Sequence, residues 1–167
     1  RFCRRFTGID VENRKSAVAN VETIAKNQAK FPVTLTLRPD RPSRADRIRL
    51  VQTHWHSGDY RSKGFAVEVS ADGKTFKQVA SGELPNAPGA TKDVTLPKEP
   101  FAALRVRILG THDSPRAAAS CGLKQVIISL GEKRVTTEKW KAEASSEYPG
   151  HSARHALIQR SDSIPLR

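Results

Sequence analysis

From Pro32 onward the chain alternates. VTLTL sets Val33, Leu35 and Leu37 on one face and Thr34 and Thr36 on the other, the period of two that a half-buried strand needs. RIRLV repeats the pattern with Ile48 and Leu50 against Arg47 and Arg49. FAVEVS does so with Phe65, Val67 and Val69 against Ala66, Glu68 and Ser70. ALRVRIL is the clearest run, with Leu104, Val106 and Ile108 facing in and Arg105 and Arg107 facing out. FKQVA, DVTL and LKQVIISL complete a set of seven predicted strands. Turn residues punctuate them: a Pro-rich connection at Arg38–Arg44, and Asp72-Gly73, a short hairpin signal between two strand-like runs. Seven strands and almost no helix predict an all-β antiparallel sandwich. Residues 1–30 read differently. Val18, Val21, Ile24 and Ala25 form a weak helical stripe, and the arm is equally compatible with irregular or loop structure.

If consecutive strands run antiparallel, every second connection falls at the same end of the sandwich. The connections 53–63, 82–91 and 110–122 are then expected to share one rim, and 38–44, Asp72-Gly73 and 97–102 the other. The first rim carries the richer chemistry. THWHSGDYRSKG supplies His54, Trp55, His56, Asp59, Tyr60 and Arg61, and GTHDSPRAAASCG supplies His112, Asp113, Ser114 and Arg116. An aromatic face beside Arg, His and Asp suits a sugar, whose C–H bonds stack on a ring while its hydroxyls take directional hydrogen bonds. Each residue also has a plainer role: Trp55 capping the open end of the core, Tyr60 pinning its own loop, and Arg61 and Arg116 solvated. His54 and His56 could chelate a metal with Asp59, but two histidines without a settled third ligand are a weak metal signal, and no metal site is assigned. The ligand-binding candidates are His54, Trp55, His56, Tyr60, Arg61, His112 and Arg116.

Lys and Arg number 29 against 17 Asp and Glu, a formal charge of +12. That excess attracts polyanions such as acidic or sulfated polysaccharide, nucleic acid or anionic lipid. The cations are spread along the chain and no stretch interleaves aromatics with them on one sheet face, which disfavours nucleic acid. No run of eighteen apolar residues is present. No G-x-S-x-G, Gly-rich phosphate loop or H-E-x-x-H occurs, and Asp59 with Asp113 is the lone candidate carboxylate pair, so no enzyme is expected. The two cysteines, Cys3 and Cys121, are too few for a disulfide scaffold. Two free thiols are the default reading and one long-range bridge the alternative. The chain begins with Arg and carries no signal peptide, which suggests a processed or fragmentary chain.

FPVTLTLRPDRPSRADRIRL, GFAVEVSADGKTFKQVASGEL, and FAALRVRILGTHD leading to LKQVIISLG together resemble the discoidin family, also called coagulation factor V/VIII type C domains, over about Phe31 to Gly131. The resemblance implies a galactose-binding-like jelly roll with ligand-contacting loops at one end. It also implies a glycan-binding or phospholipid-binding role as an appendage of a larger secreted protein, placed outside the cell or at its surface. A third possibility is an inert spacer. The rim lacks the Leu or Phe spikes that membrane-inserting members would need. EASSEYPGHSARHAL, near the end of the chain, is similar to the family's first strand and following turn, which normally continue into Asp-Gly and Trp. Here Ile158 and Gln159 follow instead. The simplest expectation is that 132–167 is a linker and the truncated start of a second copy. The alternative is that this strand folds back to replace an N-terminal strand that 1–30 does not clearly provide. The family's calcium-supporting segment, centred on that Asp-Gly, is missing, so no calcium and a weakened edge are expected. The best-supported role is a non-catalytic carbohydrate-binding module for acidic or sulfated glycans.

Overall fold

The period of two written into VTLTLR becomes a strand whose residues alternate between buried and half-buried along its whole length. The computed structural model describes residues 23–24, 31–54, 61–112, 121–147 and 152–157. Ten strands are present among them: β1 (Thr23–Ile24), β2 (Val33–Arg38), β3 (Arg47–Gln52), β4 (Gly64–Ser70), β5 (Lys77–Glu83), β6 (Thr91–Thr95), β7 (Ala103–Ile108), β8 (Gly122–Leu130), β9 (Lys133–Arg134) and β10 (Lys141–Ala144). A short 3-10 helix, Ala153–Leu157, follows. One sheet runs β1-β8-β3-β6 with β9 also on β8, and the other runs β10-β2-β7-β4-β5. Every pairing is antiparallel. The predicted all-β sandwich is the observed fold.

Between the sheets lie Leu37, Ile48, Leu50, Phe65, Val67, Leu104, Val106 and Ile128, all essentially inaccessible to water. Each such side chain contributes about 1.5–3 kcal/mol over its exposed state. On the opposite face of the β10 sheet, Glu68 stands beside Arg105 in register and bonds to both Arg105 and Arg107. The Arg105 guanidinium also lies 3.8 Å from the centre of the Phe76 ring. On the other sheet, Arg49 holds Asp93 in a two-point pair, Nε to Oδ1 at 2.6 Å and Nη2 to Oδ2 at 2.9 Å. That pairing raises the Arg49 pKa and lowers that of Asp93.

The ends of the sandwich separate as parity requires. At one pole, Arg38 donates to the Gly73 carbonyl, Ser43 bridges Phe101, and Ala102 N–H donates to the Ser70 carbonyl. These contacts gather 38–44, the Asp72-Gly73 turn and 97–102. Gly73 has φ of 80°, a backbone conformation that favours glycine. The Asp72 carboxylate accepts from Thr75 N–H, Lys74 N–H and the Ser70 hydroxyl, and these bonds pull its pKa down to about 2.

Two expectations are corrected. Ile24, placed on a possible helical stripe, belongs to β1, which pairs with β8; the rest of 1–30 lies outside the described residues. The segment expected to open a second copy instead completes this sandwich. Lys141–Ala144 pairs with Arg38–Leu35, and Trp140, Ala153, Ala156 and Leu157 enter the same core. The physical reason is that β2 has β7 on one side only, and its other edge needs backbone partners that β10 supplies. The fold-back arrangement is the one present, and the edge expected to be weakened is occupied.

Candidate functional site

At the other pole the described residues of the connections 53–63, 82–91 and 110–122 meet, and a glutamine ties the first two together. Gln52 continues the inward row of Ile48 and Leu50, so its amide is fully buried at the end of the core. Its Nε2 donates to the Ser62 carbonyl at 2.7 Å and the Pro85 carbonyl at 3.1 Å. Its Oε1 accepts from Ser62 N–H at 3.0 Å and Thr53 N–H at 3.2 Å. Both donors and both acceptor positions of the amide are therefore used, the full capacity of the group. Further bonds extend the weld: Ser62 Oγ to the Gly122 carbonyl at 2.8 Å, His112 N–H to the Arg61 carbonyl at 2.9 Å, and Gly89 N–H to the Thr53 carbonyl at 3.3 Å. Parity placed these connections on one rim, and the hydrogen bonds join their described residues across it.

Three of the seven candidate residues fall on it within the described structure. His54 is exposed, and its ring lies so close to Gly89 that a Cβ there would come within 2.7 Å of Cε1 and Nε2. Gly89, at φ of 68°, thus suits the turn twice over, in its backbone and in its missing side chain. Arg61 is half-buried, and its Nη1 donates to Asn86 Oδ1 at 3.0 Å, so the guanidinium is fixed across from the 82–91 connection. His112 is buried, with Nε2 2.6 Å from the Leu84 carbonyl. A carbonyl only accepts, so Nε2 is the protonated nitrogen and His112 fastens two connections together. Trp55, His56, Tyr60 and Arg116 lie outside the described residues, as do Asp59, Asp113 and Ser114.

Two contributors were not anticipated. Gln52 had a readable signal, a polar residue on the inward parity of an apolar strand. Asn86 had none beyond its place in a connection assigned to this rim. Beside the rim a small depression is lined mainly by apolar groups, among them Val33, Leu35, Ile108, Cys121 and Leu123, together with Ser62. Cys121 is a free thiol, and burial pushes its pKa up to about 12, opposed by the Ser62 hydroxyl. Cys3 lies outside the described residues. Leu109, 47 % exposed, stands where β7 leaves for the rim, a lone apolar side chain of the kind ordinary on protein surfaces.

Comparison with known proteins places this geometry. The sequence matches the F5/8 type C domain family over residues 25–122. Similar solved folds include the CBM32-3 module of a family 31 glycoside hydrolase from Clostridium perfringens. It has 17 % identity, 66 % of this chain and 76 % of that chain covered, and a TM-score of 0.57. A second Clostridium perfringens CBM32 module, solved in complex with GalNAc-β-1,3-galactose, shares 13 % identity over 61 % of this chain and 68 % of that one, with a TM-score of 0.51. A putative chitobiase fragment from Bacteroides thetaiotaomicron shares 16 % identity over 60 % and 61 % respectively, so the alignment spans less than two thirds of that chain, with a TM-score of 0.52. At these identities the likenesses speak for the fold. No match to a curated protein was found. With its sandwich, its matched residues and its structural neighbours in agreement, the chain belongs to the F5/8 type C domain family.

Proposed function

We propose that this domain is a non-catalytic carbohydrate-binding module that takes acidic or sulfated glycans at the welded rim. The observation that carries the reading is that exposed His54, its ring close to Gly89, and Arg61, bonded to Asn86, both stand on connections that Gln52 ties together. A weak ligand such as a sugar gains most from donors that are already in place, because little ordering cost is left at binding. Family membership and neighbours that include a module solved with a GalNAc-galactose disaccharide support the choice of a glycan. The net charge of +12 supports an acidic one.

In this reading Arg61 and Arg116 face the carboxylate or sulfate, and Trp55 with Tyr60 supplies the stacking surface. His54 and His56 take hydroxyl hydrogen bonds, and His112 acts from behind by holding the rim in shape. The module serves a larger protein outside the cell. A shallow single site gives affinity in the millimolar to micromolar range, about −4 to −8 kcal/mol. The test is a polysaccharide panel, uronic, sulfated and neutral, run at low and high salt with wild type and Arg61→Ala. Retention of an anionic glycan that survives salt in part, and falls in the variant, supports the proposal. General polyanion attraction fades with salt across all acidic polymers alike, and that outcome, or no retention at all, refutes it.

A further inference from the structure

The strand that leads to the welded rim carries cations on its outer face. Along β7, Leu104, Val106 and Ile108 enter the core, so Arg105 and Arg107 stand on the outside of the sheet. The ladder with β4 continues past the strand's end: Leu109 N–H donates to the Gly64 carbonyl, and His112 N–H to the Arg61 carbonyl. Leu109 falls in the same outer row, and a Cβ on Gly64 would meet its Cβ at 3.4 Å. At about 3.4 Å per residue, a line about 17 Å long joins Arg107 through Leu109 to the rim at His112.

The cations of this row are held in place. Glu68, buried on β4, accepts from Arg105 Nε at 2.5 Å and from Arg107 Nη1 at 3.5 Å. The Phe76 ring braces Arg105 from a second side. Arg107 has the longer bond to Glu68, and its side chain is 33 % exposed. Two guanidiniums share this one carboxylate, which leaves the pair of strands a positive charge there. In register, Thr36 flanks Arg105 and Thr34 flanks Arg107 on β2. On the other flank, nearer the rim, exposed Glu83 of β5 stands opposite Gly64. Hydroxyls border the row on the β2 side and a carboxylate on the β5 side. An anionic chain leaving the rim is therefore steered over β7 and β2 and away from β5.

We propose that the outer face of β7 is a second contact for an acidic or sulfated glycan, reached only by chains long enough to leave the rim. The inference rests on the glycan reading of that rim. The chain passes over Leu109 and sets a carboxylate or sulfate on Arg107. Taken alone Leu109 is an ordinary surface leucine; in this row it gives the C–H face of a sugar an apolar step between two cationic points. Arg107, already tied to Glu68, has less side-chain freedom to lose when the anion arrives, and its remaining N–H groups donate to the anion's oxygens.

Disaccharides and octasaccharides cut from each uronic and sulfated polymer of the panel are titrated calorimetrically into the full chain. Wild type is compared with Arg107→Gln, Leu109→Ser and Arg47→Gln. A longer chain offers the rim more registers, a gain that every variant keeps, so the octasaccharide-to-disaccharide affinity ratio of each variant is set against that of wild type. Arg107→Gln is expected to cut this ratio about fivefold, the upper range for an exposed ion pair, and to leave disaccharide affinity unchanged. Leu109→Ser should lower it too, and carries the comparison if circular dichroism shows Arg107→Gln unfolded. Arg47, exposed on the outer face of the other sheet, should leave the ratio as it is when replaced. A ratio within about twofold of wild type in Arg107→Gln overturns the path and leaves the rim reading standing. An equal loss in Arg47→Gln overturns it as well, since the gain with length is then diffuse charge. Binding of neither length to wild type refutes the rim reading and this path together.

Discussion

Gln52→Leu removes the side chain that joins the 53–63 connection to Pro85 while conserving shape and apolar volume. Four backbone groups lose their partner: the Ser62 and Pro85 carbonyls and the Ser62 and Thr53 N–H groups. Leaving a buried polar group unsatisfied costs about 1–3 kcal/mol. The four losses do not simply add, because the connections relax and water enters, so the expected destabilisation is about 3–5 kcal/mol. Gln52→Glu separates hydrogen bonding from packing. It keeps an acceptor for the two N–H groups but turns an ionised oxygen toward two carbonyls. That carboxyl is expected to have a raised pKa in the folded state, so the variant should regain stability as pH falls through the acidic range. Urea unfolding followed by tryptophan fluorescence and circular dichroism gives the numbers. A leucine variant within about 1 kcal/mol of wild type would show that the rim is not held by this amide.

Trp140→Ala empties core space against Phe101 and should cost about 3–5 kcal/mol in the same assay; a loss under about 1 kcal/mol would mean that the segment around β10 adds little to the core. Asp72 is held well below the ordinary carboxylate value, to about 2, by the turn's N–H groups and the Ser70 hydroxyl. Its contribution to stability is therefore complete above that ordinary value, near pH 4, and fades as pH falls toward about 2. Asp72→Asn should flatten that part of the acid stability curve, and an unchanged curve would contradict the assignment. In a Cys3→Ser chain, Cys121 should resist thiol reagents at pH 8 while folded and react on unfolding, since burial pushes its thiol up to about 12; rapid labelling of the native chain would oppose this.

The sandwich was legible because its information is local. VTLTL, FAVEVS and ALRVRIL each declare two faces, and Asp72-Gly73 declares a turn whose αL glycine and carboxylate bonds are present. Parity along those strands sorted the connections into two poles correctly, since antiparallel pairing is strictly alternating. Strands of two residues, β1 and β9, are too short to express a period in the sequence. The β10 pairing was legible as a strand but not as a partner, because nothing local says which distant edge it will meet. At the rim, residue type identified His54 and Arg61, yet type alone could not tell an exposed histidine from His112, which tertiary packing buries onto Leu84. Gln52 carries a readable signal of its own, a polar side chain set inward after Ile48 and Leu50.

The central claim is that the welded pole meets a glycan, and amide chemical-shift mapping addresses it most directly. Titration of the isotope-labelled chain with an anionic oligosaccharide that the panel selects should shift Thr53, His54, Arg61, Asn86 and Gly89 together. The Arg38–Arg44 connection and the Asp72-Gly73 turn should stay still. Shifts confined to that opposite pole, or spread evenly over exposed cations and abolished by salt, would contradict the account.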